Sequence, residues 1–513
     1  MITSIFNDAV GPVMRGASSS HCAAALRIGR IARDLMDGDI AEILVEYDIH
    51  GSLPTTHTSQ CSDMGLYGGL MGWEAADERL PDSPRILAES GVKITVEYID
   101  IHDPHPNTYR LTLKNESETH TLIAISTGGG MIEVQEIDGF PVEMGGGYHI
   151  TLIYAKEPWI VAEAVNALGD IDDVKVHDGG LLEIRAAAFV SDEQMAGVQG
   201  VENVRRLSPV LPVASRKGIK IPFSTCEEML AYDAGANRPL WELAVDYEAE
   251  RGNLSREEVL AKMVEIVHIA RRSIEQGIAG TEYEDRILGH QSGGFKELLE
   301  AGGLLDAGML NLMVVYVTAL MEVKSSMGVI IAAPTAGACA GFPGATLAAV
   351  DAMGLGDEEA AKAMLAGGLV GVFIATRSTF AAEVSGCQAE GGSASGMAAA
   401  ALAHLGGATL QQSIAATSMA LQSCLGMICD PVANRVEVPC LGRNVIAASN
   451  AISCANMALA NYDPVITLDE VIATMDDVGR NMPREYRCTG LGGLAITDSS
   501  KKIEARLCGN CTC

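Results

Sequence analysis

From about residue 220 to about residue 480 the sequence is almost entirely helical text broken by Gly-rich turns, and it carries very few aromatic residues. The whole chain of 513 residues holds 55 glycines and only 4% aromatics. Small residues let helix backbones approach one another, so this stretch is expected to form an all-α domain with close helix packing. Ser224 or Thr225 offers an N-cap before CEEMLAYDAG, and helical periodicity runs on through SREEVLAKMVEIVHIARRSIEQGI. The apolar runs MGVIIAAPTAGACAGF and AGGLVGVFIAT are too short or too broken by Gly and Pro to span a bilayer comfortably, and read as buried core helices.

Three cysteines in this stretch have unusual neighbours: Cys387 in GCQAEGG, Cys429 in ICDPV and Cys440 in VPCLGRN. Gly386, Pro431 and Pro439 break helices beside them and put the thiols on turns, where they can aim at a shared point. Spacings of 42 and 11 residues are too wide for a zinc knuckle or a ferredoxin run. Cys424 and Cys454, in Ala- and Ser-rich helical text, are read as core packing. The N-terminus MITSIFNDAVG has neither the basic region nor the apolar stretch of a secretory signal, so a cytoplasmic protein is expected. Thirteen cysteines in that setting mean metal ligation or reduced core thiols. The formal charge of −30 argues against nucleic acid and anionic membranes as partners and suits an acidic surface kept for solubility.

The first half reads differently. AEILVEY, VKITVEYIDIH, YRLTLKN and THTLIAIS have the β-branched, alternating pattern of a sheet. Between residues 149 and 207 the order strand, helix, two strands, short helix and strand resembles an ACT-type regulatory module, with a plain ferredoxin-like domain as the equal alternative. The expected organisation is therefore an α+β domain over 1–147, a ferredoxin-like (ACT-like) βαββαβ domain over 148–215, the all-α domain over 220–495, and a tail over 496–513.

GCQAEGGSAS, CDPVANRVEVPCLGRN, MGVIIAAPTAG, LDEVIATMDDVGRNM and GGLAI in the second half, with SSSH, HPNTYRL and STGGGMI in the first, resemble the iron-sulfur L-serine dehydratases over most of the chain. The resemblance implies a [4Fe-4S] cluster held by Cys387, Cys429 and Cys440. Three thiolates leave one iron of such a cluster open to act as a Lewis acid. It further implies a C-terminal cysteine on that iron when no substrate is bound: Cys513, with Cys511 and Cys508 sharing the same tail.

Eliminating water from a β-hydroxy amino acid needs a better leaving group and a base for the Cα proton. His57 in SLPTTHTSQ, near the place of the family's histidine, is the candidate base, against the alternative of a loop hydrogen-bonder. Ser18, Ser19, Ser20 and His21 at a helix start are read as carboxylate binders, the alternative being an ordinary N-cap. His105 and Asn107 form a second substrate-side loop, and Thr335 and Gly337 a flexible turn in the second half. Arg443 and Asn444 bond the cluster or the substrate, or else cap a helix. Arg110 is open between a carboxylate site and a surface ion pair.

Several positions depart from the family pattern. Five residues separate Gly11-Pro12 from the serines, Cys22 follows His21, PTTH replaces a GKGH loop, Gly442 stands for a glutamate and Cys488 for an acidic residue. The expected activity is dehydration and deamination of a small β-hydroxy amino acid, foremost L-serine to pyruvate and ammonia, by a homodimer. L-cysteine desulfidation, another hydroxy amino acid, or a non-catalytic iron-sulfur sensor are the competing readings.

Overall fold

Small residues decide where the helices of this protein meet. The computed structural model describes residues 2–15, 19–58, 60–283 and 286–509, and the chain divides into two compact units, residues 14–219 and residues 1–13 with 220–513. The architecture is mixed α/β and multidomain, with strands in the first unit and helices dominating the second.

In unit 14–219, strands β1 (Glu42–Asp48), β2 (Lys93–Ile99), β3 (Thr108–Lys114), β4 (Thr119–Gly128), β5 (Met131–Ile137) and β6 (Phe140–Met144) form one sheet in the order β2-β1-β3-β4-β5-β6. The β1–β2 pair is parallel, with Asp48 opposite Ile99, and the other pairs are antiparallel. Gly128, Gly129 and Gly130 all have positive φ and make the turn between β4 and β5. Helices α1 (Ser19–Asp34) and α2 (Ser62–Leu70) cover the sheet, with Ile28, Leu35, Val45, Leu111, Leu122 and Val134 in the core beneath them. These two helices touch backbone to backbone: a Cβ on Gly69 would stand 2.1 Å from the Leu26 carbonyl oxygen, and one on Gly65 2.1 Å from that of Cys22. Cys22 is thus a packing residue, and burial pushes its thiol pKa well up.

A second, four-stranded sheet follows within the same unit. Strands β7 (His149–Ala155), β8 (Ile171–His177), β9 (Leu181–Ala186) and β10 (Val201–Leu207) lie in the order β10-β7-β9-β8, all antiparallel, with helix α3 (Pro158–Asn166) after β7 and a one-turn helix Asp192–Met195 before β10. Ser191 and Gln194 cap that short helix reciprocally. Ile150, Leu152 and Leu181 join the larger core, while Ile153, Leu182 and Ile184 pack on Val161 and Val165 of α3. Burial on both faces explains why β7 and β9 read as near-continuous apolar runs. Arg205 binds the sheets together, donating to the Leu35 carbonyl at 2.7 Å and pairing with Glu118.

Among the described residues, the other unit consists of helices apart from strand residues 13 and 329–331. Thr225 caps the helix Cys226–Asp233 by accepting from the Glu228 N–H, and Ser255 with Glu258 forms a capping box on α4 (Arg256–Ala279). A Cβ on Gly277 of α4 would lie 2.3 Å from the Ala319 oxygen of α5 (Met309–Lys324). Further along come α6 (Gly341–Ala352), α7 (Asp357–Arg377), α8 (Ser393–Leu405), α9 (Leu410–Gln422), α10 (Cys440–Leu459) and α11 (Leu468–Asn481). Gly367 of α7 sits against the Met397 oxygen of α8, where a Cβ would be at 2.6 Å.

Helix α7 is long and apolar enough to cross a membrane, but 78% of its apolar window is buried inside the protein, as befits a core helix. The run MGVIIAAPTAGACAGF corrects the expectation of a single helix. Val329–Ile331 is a strand, a turn passes through Pro334, and α6 starts only at Gly341. Three consecutive β-branched residues favour extended backbone, and Pro334 has no N–H to give a helix interior. The first thirteen residues fold with the helices because Ser4 Oγ and the Ile5 N–H donate to the buried carboxylate of Glu248, at 2.5 and 2.7 Å.

Gly69→Ala is expected to destabilise the protein by about 1–3 kcal/mol through overpacking of α1 on α2. Gly294→Ala, in the helix Ser292–Glu300 with nothing within 4 Å of its added methyl, should change stability by less than about 1 kcal/mol. Urea unfolding monitored by circular dichroism compares the two.

Candidate functional site

The three cysteines arrive by different local routes. The short helix Ala382–Ser385 stops at Gly386, whose φ of 68° suits glycine, and Cys387 then caps a five-residue π-helix Gln388–Gly392. Cys429 lies in an extended segment bridged to Arg487: its N–H donates to the Tyr486 carbonyl at 2.8 Å and its own carbonyl accepts from the Cys488 N–H at 3.0 Å. Cys440 opens α10 directly after Pro439, so it sits at a helix start and not within a turn. All three are buried, between 2% and 5% exposed.

These thiols share one dry pocket with groups the sequence had not singled out. Cys387 Sγ, a Glu390 carboxylate oxygen and Cys429 Sγ lie within 4.8 Å of one another. Hydrogen bonds to Cys387 and Cys488 hold the Cys429 thiol in its protonated form, with burial adding to the effect, and burial likewise raises Cys440. Loss of hydration lifts the Glu390 carboxyl to about 7, opposed by the hydrogen bond that Thr335 Oγ1 donates to it at 2.7 Å. Several buried thiols and a carboxyl held together are the donor set that a thiophilic metal centre requires, since ligation converts the costly protons into metal–sulfur bonds. The cysteine groups therefore fit a metal or an iron-sulfur cluster.

Around them the helical unit gathers the remaining predicted residues. Arg443 Nη1 donates to Cys387 Sγ at 3.2 Å while its Nη2 pairs with the buried Asp430 at 2.5 Å. Asn444 is fully used: its Oδ1 accepts from the Ala340 and Gly341 N–H groups, and its Nδ2 donates to the carbonyls of Gly337 and Cys440. It brackets the 335–341 turn against the start of α10. Gly337 is required there, because a Cβ would meet Glu390 Oε1 at 2.9 Å. Cys488 is a fourth thiol, half-buried beside Cys429, and the pairing of residues 429 and 487 that brings it there spans too much sequence to read from spacing.

The other predicted residues, the tail cysteines aside, lie in unit 14–219. His57 ends the one-turn helix Leu53–Thr56 and is 9% exposed. Its Nδ1 is 2.7 Å from both oxygens of Asp63, and its Nε2 is 2.8 Å from the Tyr98 hydroxyl. A carboxylate can only accept, so Nδ1 carries the proton, and in the neutral ring the Nε2 lone pair accepts from Tyr98. This tautomer leaves Nε2 as the acceptor, with the half-exposed Tyr98 covering it. The loop of His105 and Asn107 leans on the same segment: the Ser52 N–H donates to the Pro106 carbonyl at 2.8 Å, and Ser52 Oγ to Asn107 Oδ1. Ser20 and His21 lie in the first turn of α1, the end that packs on α2, which carries Asp63. Ser19 starts that helix, and Ser18 lies outside the described residues. Arg110 forms an internal bidentate pair with Asp103, at 2.7 and 3.2 Å. Of the tail cysteines, Cys508 falls in the helix Asp498–Gly509, while Cys511 and Cys513 lie outside the described residues.

Residues 235–495 match the family model of the serine dehydratase alpha chain. The chain is 34% identical over 268 residues to a probable L-serine dehydratase alpha chain of Bacillus subtilis, covering 52% of this chain and 89% of that one. It is 28% identical over 510 residues to an L-serine dehydratase of Helicobacter pylori, covering 97% and 98%. It is also 27% identical over 506 residues to L-serine dehydratase 2 of Escherichia coli, covering 96% and 97%.

Tyr98→Phe removes the hydroxyl that covers His57 Nε2 while keeping the ring. Carbethoxylation of His57 by diethyl pyrocarbonate, followed by peptide mass spectrometry, should then run several-fold faster than in the parent protein.

Proposed function

The chain belongs to the serine dehydratase family, and from that premise we propose that it is an L-serine ammonia-lyase converting L-serine to pyruvate and ammonia, with a [4Fe-4S] cluster on Cys387, Cys429 and Cys440. The observation that carries the reading is the shared burial of these cysteines around Glu390 and Arg443, in a chain that aligns along nearly its whole length with relatives named L-serine dehydratase. Held by three thiolates, the cluster would supply an iron that acts as a Lewis acid on the departing hydroxyl.

The chain's own groups do the remaining work. Ser18, Ser19, Ser20 and His21 hold the substrate carboxylate at the α1 start, where N–H groups and the helix dipole favour an anion. His105 and Asn107 flank it. His57 Nε2 takes the Cα proton once Tyr98 swings aside, and Asp63 steadies the Nδ1 proton so that the ring receives charge without turning. Loss of the proton and of hydroxide leaves aminoacrylate, which tautomerises to an imine and is hydrolysed to pyruvate and ammonia. Thr335 and Gly337 border the thiol pocket, Arg443 spreads positive charge over the cysteine sulfur, and Asn444 acts as a positioning residue. Cys513, or Cys511 or Cys508 of the same tail, is the residue that would hold the cluster's remaining iron when no substrate is bound. The 148–215 module is read as an ACT-like regulatory domain on the strength of its strand order, and the assembly as a cytoplasmic homodimer.

Protein reconstituted anaerobically with iron and sulfide should release pyruvate from L-serine, and faster than it releases sulfide from L-cysteine; the opposite ranking rejects serine as the substrate. Cys387→Ser, Cys429→Ser and Cys440→Ser should each abolish the iron-sulfur absorbance together with activity. Asp63→Asn should keep the absorbance and lower kcat by roughly 10²–10⁴-fold, the range that a well-held general base contributes, with KM little altered.

A further inference from the structure

Beyond the sites described, one group of metal-ligating side chains stands at the carboxyl ends of the parallel strands β1 and β2. Asp100 Oδ1 is 2.9 Å from His50 Nε2 and 3.0 Å from His102 Nδ1. The two imidazoles are 4.2 Å apart between centroids, and one ligating atom from each of the three side chains lies within 4.8 Å of the others. All three side chains are exposed, which leaves the far side of the group open to water.

The backbone beneath them is built with care. The Ile49 N–H donates to the Ile99 carbonyl at 2.9 Å and continues the β1–β2 pairing past the strand ends. Asp48, 4% exposed, accepts from the His50 N–H at 3.1 Å with one oxygen and from the Asp103 N–H at 2.5 Å with the other. One buried carboxylate thus fixes both segments that bear the imidazoles. Asp103 is in turn tied to Arg110. His102 itself has φ of 53°, in the left-handed region that histidine, like asparagine and aspartate, enters more often than other non-glycine residues, and its Nδ1 lies 3.0 Å from Asp100.

We propose that His50, Asp100 and His102 form a binding site for a divalent transition-metal ion of the zinc, nickel or cobalt class. Two neutral imidazole nitrogens and one carboxylate oxygen suit these borderline ions, whereas magnesium and calcium take sets made of oxygen. In the metal-free protein the imidazole N–H groups bond the carboxylate that they would join in ligating the ion, so binding replaces protons with metal and moves the side chains little. Water completes the coordination on the open side. The site stands apart from the cysteine pocket in the chain, and the inference does not rest on the serine dehydratase reading. Asp48 is its supporting residue, orienting ligands that it does not itself extend.

The test titrates nickel(II) chloride into the full-length chain by isothermal calorimetry, in the parent protein and in a Cys387→Ser/Cys429→Ser variant that disables the thiol pocket. The cysteine variant should bind one equivalent, which disappears when His50→Gln/His102→Gln is added to it, while the parent should bind at least that one. In Asp48→Asn it should bind about 10–100-fold more weakly. Nickel should also broaden the His50 and His102 ring protons selectively in the NMR spectrum of the cysteine variant, a measurement that needs no histidine replacement. Nickel binding by the cysteine variant that survives His50→Gln/His102→Gln, or an absence of both the equivalent and the broadening, overturns the proposal.

Discussion

Backbone contact between helices is the constraint on which the rest of this protein depends. Gly277 against Ala319, Gly367 against Met397, and Gly65 and Gly69 against α1 leave no room for a methyl group. Helices this close have their connecting segments pressed into a small volume, and the chemistry-bearing residues of the helical unit lie on those segments or at their edges. Cys387 follows one helix end, Cys429 lies between two helices and Cys440 begins another. The scarcity of aromatic side chains and the clustering of thiols are in this sense one fact, since bulky core residues would hold the helices apart.

The electrostatics of the thiol pocket follow from the same tightness. With water squeezed out, Cys429 and Cys440 are held as neutral thiols and Glu390 ionises only with difficulty. Fixed positive charge comes from the buried Lys324 and from Arg443, the latter paired with Asp430 and turned toward Cys387. Such a pocket favours a ligand that exchanges protons for a metal. In the other unit the balance is different: His57 is held between a carboxylate and a hydroxyl, which fixes its tautomer by hydrogen bonding.

Local grammar was legible in the sequence and distant pairing was not. Helix breakers beside Cys387, Cys429 and Cys440, the N-caps at Thr225 and Ser255, and the strand–helix alternation over residues 149–207 are all written within a few residues of where they act. MGVIIAAPTAGACAGF misled because apolar composition is shared by core helices and core strands, and its β-branched triplet decided the matter. Glu390, Asp430, Asp63 and Tyr98 escaped notice for a common reason: nothing in an isolated carboxylate or phenol announces the partner that the fold brings to it. Asn444 was open between a ligand contact and a helix cap, and its amide is engaged with backbone groups of the 335–341 turn and the start of α10.

One connection carries a practical consequence. Asp430 uses its second oxygen to accept from the Leu494 N–H at 2.7 Å, and the Ala433 N–H donates at 2.9 Å to Ser500 Oγ in the last helix, whose Leu507 is buried. The loop between Cys429 and Cys440 is therefore moored to residues near the carboxyl end. A purification tag or fusion partner appended there would pull on the very loop that two of the thiols frame, so tags belong at the opposite end of the polypeptide or behind a long, slack spacer.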